Sequence, residues 1–358
     1  MLLQKTEVLK VGRDLSGKGD IEKLSFAADI LRRGGLVAFP TETVYGLGAN
    51  ALDERAVESI FRAKGRPQDN PLIVHFSKAD DIAEYAHTEN NVFFDILKQQ
   101  MPAPLTVILP KKQNVPSVVT AGLDNVASRV PTSLIARKLI ELAGVPVAAP
   151  SANLSGKPSP TTAYHVICDM ENRADVIIDG GECDVGVEST VVTLCGKVPM
   201  LLRPGGFTHE RLEELLGKVD ISDAVLSALK DGEKAQSPGM KYKHYSPDTK
   251  VILVKGNEEN VRAFLEKKII SEPCGVICYD EDTDIVENGR VIRMGSRSHS
   301  EDYAERLFAA LRLSDSIKNI DRVYAVLPFD TSGISLAIYN RMLRAAAFNI
   351  ADADAENK

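Results

Sequence analysis

Short apolar runs alternate along this chain with amphipathic stretches, and that alternation predicts an α/β protein. Runs rich in β-branched residues read as strands at 6–11, 36–39, 71–76, 107–109, 126–130, 145–149, 176–178, 188–193 and 201–203. Between them, apolar positions recur at helical spacing. Ile21, Leu24, Ala28 and Leu31 share one face behind Asp20, a predicted N-cap, and Gly34-Gly35 end that helix. Further helices are predicted at 53–61, 91–99, 134–143 behind Ser133, 163–170 and 210–216.

Beyond 217 the period fades, then a second αβ alternation starts. Strands are predicted at 251–254, 275–279, 291–294 and 323–327, with helices at 259–269, 303–313 and 335–347. The expected organisation is a first domain at 1–217, a linker at 218–248, a second α/β domain at 249–350 and a frayed acidic tail at 351–358. Within the linker, 237–247 is bounded by Pro and Gly and holds two Lys, two Tyr and a His. Those residues suit a lid over a nucleotide.

A net charge of -7 argues against a protein that coats nucleic acid over its whole surface, while leaving room for a local basic cleft. The five cysteines show no zinc-ligand spacing and read as reduced thiols. No signal-peptide core and no membrane-length apolar run is visible, so a cytoplasmic location without membrane association is expected.

Two glycine-rich stretches mimic nucleotide loops and fail on detail. In the stretch from Gly12 to Gly19, Lys18 is followed by Gly19 where a phosphate loop needs Ser or Thr. Gly46, Gly48 and Ala51 imitate a dinucleotide fingerprint, but a polar Thr-Glu-Thr segment separates them from the preceding strand. Better candidates stand at other strand ends. Lys64 and Arg66 flank Gly65 ahead of Pro67, which reads as a placed anion clamp more than as cations complementing a helix end. Arg129 lies in an apolar strand, where a buried ion pair and an anion site both fit; Arg203 again ends a strand before Pro and Gly. The 145–149 strand empties into a loop carrying Ser151, Asn153, Ser155, Lys157, Ser159 and Thr161, suited to a polyanion. There is no nucleophile–base pair and no metal-ligand cluster. That inventory fits a reaction whose substrates supply the nucleophile while the protein supplies position and charge, as in phosphoryl and nucleotidyl transfer.

Lys64-Gly-Arg66 with Ser151-Ala-Asn153 resembles the K-x-R…S-x-N signature of the YrdC-like family. The Pro-Thr-Glu-Thr-Val-Tyr-Gly-Leu-Gly, Asn-Pro-Leu-Ile-Val-His, Glu-Ser-Thr-Val-Val and Leu-Arg-Pro-Gly segments match as well. With the 237–247 segment and the second α/β unit, nearly the whole chain resembles the long form of the threonylcarbamoyl-AMP synthase family. The resemblance implies a YrdC-like twisted mixed sheet with a concave cavity, followed by a smaller Rossmann-like α/β domain. It implies a nucleotidyltransferase that converts L-threonine, bicarbonate (or carbon dioxide) and ATP, with magnesium, to threonylcarbamoyl-AMP and pyrophosphate. A downstream tRNA threonylcarbamoyl transferase complex would take the product to adenosine beside the anticodon.

Carried onto this chain, the resemblance assigns Thr43, His75, Arg129, Ala149 and Ser189 to threonine. Arg66, Asn70, Asn125, Ser151, Ser159, Arg203 and Tyr242 fall to ATP, and Lys64, Arg66, Ser151 and Asn153 to catalysis; no residue is assigned to a metal. The guanidinium of Arg129 has the fork that suits a carboxylate. Two positions depart from the pattern: Ala103 stands for Gly in a Pro-Gly-Pro-x-Thr element, and Asn125 for a Thr or Ser. Weak RNA binding is an expectation beside the synthase reading itself. Competing expectations are an RNA- or nucleotide-binding regulatory protein without turnover, which tight, salt-sensitive RNA binding would mark, and a carbamoyl-transfer enzyme. The latter would carry an acylphosphatase-like segment and zinc-finger cysteine pairs, and this chain has neither.

Overall fold

The computed structural model describes residues 5–227, 245–285 and 290–356. It divides into two units, Met1–Ser155 with Ser159–Lys241, and Gly156–Pro158 with Tyr242–Lys358. Each unit is α/β. Among the described residues no helix is long and apolar enough to cross a membrane.

An eleven-stranded mixed sheet forms the first unit. Its spatial order is Glu7–Lys10, Val176–Asp179, Val37–Phe39, Gly46–Asn50, Val147–Ala148, Ile73–His75, Asn125–Arg129, Leu105–Pro110, Thr190–Thr193, Met200–Arg203 and Asp220–Ile221. Helices Asp20–Arg32 and Leu134–Ala143 share a core with it: Leu24, Ala28 and Leu31 from one, Ile135 and Leu139 from the other, meeting Val37, Phe39, Val147 and Val176. The apolar stripe read from the sequence covers the sheet through Leu24, Ala28 and Leu31, while Ile21, expected on the same face, is exposed at the start of the helix.

Several local expectations change in three dimensions. Asp20 is the first residue of its helix rather than the cap; its carboxylate accepts from the N–H groups of Gly12 and Gly17 at 3.1 and 3.0 Å and closes that loop. Gly46 and Gly48, whose resemblance to a dinucleotide fingerprint fails on spacing, lie in a strand, not predicted from the sequence, antiparallel to Val37–Phe39. A Cβ on Gly48 would come within 2.8 Å of both Phe39 and Val147, so glycine is needed for close packing rather than for a turn. The 145–149 run is a regular strand only at Val147–Ala148, bracketed by Pro146 and Pro150, which have no N–H to donate and only accept, from Ala51 and Leu47 at 2.9 Å.

In the second unit, five parallel strands run in the order Val291–Arg293, Cys274–Cys278, Arg322–Val326, Lys250–Lys255 and Ile350–Asp352. The last of these corrects the expectation of a frayed tail. Ile350, Ala351 and Asp352 pair with Leu253, Val254 and Lys255, and Lys255 bridges Asp352 at 3.0 Å. Asp354 then accepts from the backbone of Asn257 at 3.0 Å and the side chains of Asn257 and Asn260 at 2.9 Å. Lys157, expected among anion-facing groups, is paired with Asp248 at 2.5 Å in this unit.

Candidate active site

The register of the first sheet builds one polar row. His75 pairs with Arg129, Arg129 with Thr106, Thr106 with Val191, and Val191 with Arg203. Neighbours in register project from the same face of a sheet, so residues far apart in sequence converge. Thr106 and Ser189 share a hydroxyl–hydroxyl bond of 2.8 Å. Arg203 donates through Nε to the Ser189 carbonyl at 3.0 Å and through Nη2 to its hydroxyl at 3.1 Å. All of these side chains are buried. Ala149 closes the row, its N–H on the Ile73 carbonyl at 2.9 Å.

Of the two readings the sequence left open for Arg129, the structure shows the buried ion pair. Its Nη2 donates to Glu42 Oε1 at 2.7 Å and to Thr43 Oγ1 at 2.9 Å, in an ion pair with each side chain 5% exposed. Glu42 Oε2 accepts from the Thr132 N–H at 3.1 Å. An Nη2 group has two N–H donors, and two acceptors hold them. The fork expected for a ligand carboxylate is thus half engaged by the protein. Arg129 Nε, also buried, has no hydrogen-bond partner among the described residues. His75 lies beside it, its ring edge-on to Phe39 and its Nδ1 3.2 Å from the Ile73 carbonyl. Burial, and then the Arg129 charge, push the imidazole down to about 3, so it is neutral at physiological pH.

The signature residues meet at the other part of the site. Lys64 ends the helix Glu54–Lys64, which Gly65 terminates at φ +61°, a conformation glycine adopts without strain. Its ammonium reaches back 2.5 Å to each of the Ser151 and Asn153 carbonyls. Ser151 Oγ donates to Asn153 Oδ1 at 2.5 Å, and the Ser155 N–H returns to the Lys64 carbonyl at 2.9 Å. Arg66 Nη2 braces the following turn through the Asn70 and Pro71 carbonyls at 3.1 and 3.4 Å. Lys64 therefore shapes the Ser151–Asn153 loop, a role its charge alone did not suggest. Asn70 is buried, and its Oδ1 has no partner among the described residues.

Ser159 is fully buried and donates to Glu188 Oε1 at 2.5 Å. Asn125 opens the strand that Arg129 closes. It shares the face by even spacing, stands roughly 13 Å away at 3.3 Å per residue, and accepts from the Cys195 thiol at 3.4 Å. It is not in contact with the polar row. Tyr242 lies outside the described residues. The residues missed from the sequence are Glu42, Thr106 and Glu188. Glu42 had a signal: a carboxylate between two apolar strands, which burial would oblige to find a cation.

Comparison with known proteins identifies the family. A family profile described as "Telomere recombination" matches residues 29–205, and one described as "Threonylcarbamoyl-AMP synthase, C-terminal domain" matches 207–347. The chain is 46% identical to the threonylcarbamoyl-AMP synthase of Pyrococcus abyssi, over 92% of this chain and 95% of that protein. It is 41% identical to the Bacillus subtilis enzyme of that name, over 90% and 93%. The crystal structure of P. abyssi Sua5 complexed with L-threonine superposes with a TM-score of 0.89 at 43% identity, covering 97% of this chain and 99% of that one. With two matched regions in this order and relatives aligned over nearly their full length, the chain belongs to the threonylcarbamoyl-AMP synthase family, in its long form.

Proposed function

We propose that this protein joins L-threonine, bicarbonate and ATP into threonylcarbamoyl-AMP and pyrophosphate, the step that supplies threonylcarbamoyl groups for tRNA. The observation that carries the reading is the buried row of Arg129, Thr106, Ser189 and neutral His75. It occurs in a chain that shares its fold, at 43% identity, with a relative crystallised with L-threonine.

The chemistry needs no protein nucleophile. The threonine amine adds to bicarbonate with loss of water, and an oxygen of the resulting carbamate attacks the α-phosphate of ATP as pyrophosphate leaves. Thr43, His75, Arg129, Ala149 and Ser189 would hold threonine, with Arg129 meeting the carboxylate through Nε. Arg66, Asn70, Asn125, Ser151, Ser159, Arg203 and Tyr242 would hold ATP. The cations Arg66 and Arg203 would balance charge on the departing pyrophosphate. Lys64 would act on this chemistry by holding the Ser151–Asn153 loop in place. Magnesium would enter as the companion of ATP, on phosphate and water oxygens. Among the described residues no group of three or more His, Cys, Asp or Glu is placed to hold a metal, and no protein ligand is assigned to it. The product would pass to a transferase complex acting on tRNA, in the cytoplasm.

Pyrophosphate release measured across the common amino acids tests the reading. Release that requires both bicarbonate and L-threonine, with little for serine, supports it. ATP binding without threonine-dependent release would leave a nucleotide-binding regulatory protein instead.

A further inference from the structure

The sequence expects the loop after the 145–149 strand to meet a polyanion through its hydroxyls and Lys157. In the structure those donors are turned inward. Ser159 Oγ, fully buried, donates to Glu188 Oε1 at 2.5 Å, within the range of a hydroxyl on an ionised carboxylate. Ser151 Oγ donates to Asn153 Oδ1 at 2.5 Å. Asn153 Nδ2 donates to the Leu154 carbonyl at 2.8 Å, which fixes the way the amide points and leaves its oxygen, an acceptor only, facing Ser151. Lys157 is paired with Asp248 at 2.5 Å. Both ends of the loop are tied to one residue: the Tyr45 N–H donates to the Pro160 carbonyl at 2.9 Å, and the Tyr45 carbonyl accepts from the Ala152 N–H at 2.8 Å.

We infer that Ser159 reads the nucleoside half of ATP, accepting a hydrogen bond from an N–H of the base or an O–H of the ribose, and does not bind the phosphates. A serine hydroxyl has one proton and two lone pairs. A carboxylate can only accept, so Glu188 holds the Ser159 proton. No N–H or O–H among the described residues donates to Ser159 Oγ, so both lone pairs are open. Above neutral pH the phosphate oxygens of ATP only accept as well, and two acceptors facing each other in a buried site repel. The donors that ATP does carry are the exocyclic amino group of adenine and the two ribose hydroxyls. The triphosphate then falls to the cations Arg66 and Arg203. The inference rests on the proposed use of ATP and adds to it which part of the nucleotide Ser159 recognises.

Calorimetric titration separates the two halves of the nucleotide, with adenosine as one probe and pyrophosphate with magnesium as the other. In Ser159→Ala the Kd for adenosine should rise roughly five- to tenfold, as for one net hydrogen bond, and the Kd for pyrophosphate should stay within about twofold of wild type. Analogues give a second measurement that needs no variant. In threonine-dependent pyrophosphate release by the wild-type protein, purine riboside triphosphate lacks the amino group, and 2′-deoxy-ATP and 3′-deoxy-ATP each lack one hydroxyl. At least one of the three should raise KM roughly five- to tenfold over ATP, and that penalty should vanish in Ser159→Ala. A pyrophosphate Kd that rises as far as the adenosine Kd overturns the inference. So do three analogues with the KM of ATP, or penalties that persist unchanged in Ser159→Ala. Wild-type protein that binds adenosine and pyrophosphate but shows no threonine-dependent release overturns the synthase reading alone, since the two affinities still decide the role of Ser159. Wild-type protein that binds neither probe nor ATP overturns both.

Discussion

Two arginine–carboxylate pairs, one in each unit, look alike on paper and differ in what surrounds them; the first is buried on both sides, the second only on its carboxylate. Arg129 pairs with Glu42 at 2.7 Å, and Arg297 pairs with Asp282 at 2.5 Å. Arg297 has more partners in its own unit, although its Nε, like that of Arg129, has no hydrogen-bond partner among the described residues. Glu258 takes its other terminal nitrogen at 3.1 Å, and the Tyr279 and Phe329 rings lie 5.8 and 5.5 Å from its guanidinium carbon. Those rings stack at 5.9 Å and 25°, forming an aromatic platform for the cation. Arg129 has one carboxylate and one hydroxyl, and in register beside it stand a neutral imidazole and a second hydroxyl. A buried ion pair by itself is weak evidence of a site. What separates the two is polar company that the pair does not need for its own stability.

The largest expected effect tests that distinction directly. Arg129→Ala should raise the threonine KM by roughly tenfold to a hundredfold, the range for one charge-assisted hydrogen bond. It should also lower stability by about 3–5 kcal/mol, because Glu42 stays buried without its cation. Arg297→Ala should lower the melting temperature while leaving threonine-dependent turnover within about twofold of wild type. Steady-state kinetics and thermal denaturation of both proteins decide it. Equal kinetic loss in the two would erase the comparison.

Lys64 sharpens it from another direction, since its ammonium donates to the Ser151 and Asn153 carbonyls. Lys64→Met keeps the aliphatic stem and releases the Ser151–Asn153 loop. Turnover should fall by roughly tenfold to a hundredfold, as for a displaced catalytic loop, with the threonine KM changed far less. A threonine KM that rises as far as it does for Arg129→Ala would place Lys64 in the amino-acid pocket.

The sequence made the alternation of elements legible because burial on a sheet face imposes its own period, as Leu24, Ala28 and Leu31 show. It also made the site's cations legible, because Pro67 and Pro204 restrict the arginines before them and Gly65 supplies the left-handed turn between Lys64 and Arg66. Partners remote in the chain were not legible. Glu42 and Arg129 are 87 residues apart, and Ser159 and Glu188 are 29 apart; only the sheet order brings them together. The strand that holds Gly46 and Gly48 was missed for the same reason, since Phe39 and Val147 exclude a side chain only once the strands are paired. The terminal strand Ile350–Asp352 looked frayed because its composition is acidic. Its stability comes from Leu253, Val254 and Lys255, about a hundred residues earlier.

His75 offers the smallest expected effect and the cleanest sign. Burial and the neighbouring Arg129 charge lower its pKa from 6.5 to about 3, so between those values the unfolded chain binds a proton that the folded protein refuses. Stability from this residue is therefore fully present above pH 6.5 and is lost as pH falls towards 3. At about 1.4 kcal/mol per pH unit, acidification from pH 7 to pH 5 should remove about 2 kcal/mol. His75→Gln has no titrating group, and denaturant unfolding at the two pH values should show its acid loss smaller than that of wild type by about that amount. Equal losses in the two proteins would mean that His75 accepts its proton in the folded state, beside Arg129. The row would then carry two adjacent cations, and the contrast with Arg297, whose neighbours are carboxylates and rings, would rest on repulsion instead of on a neutral site awaiting a ligand.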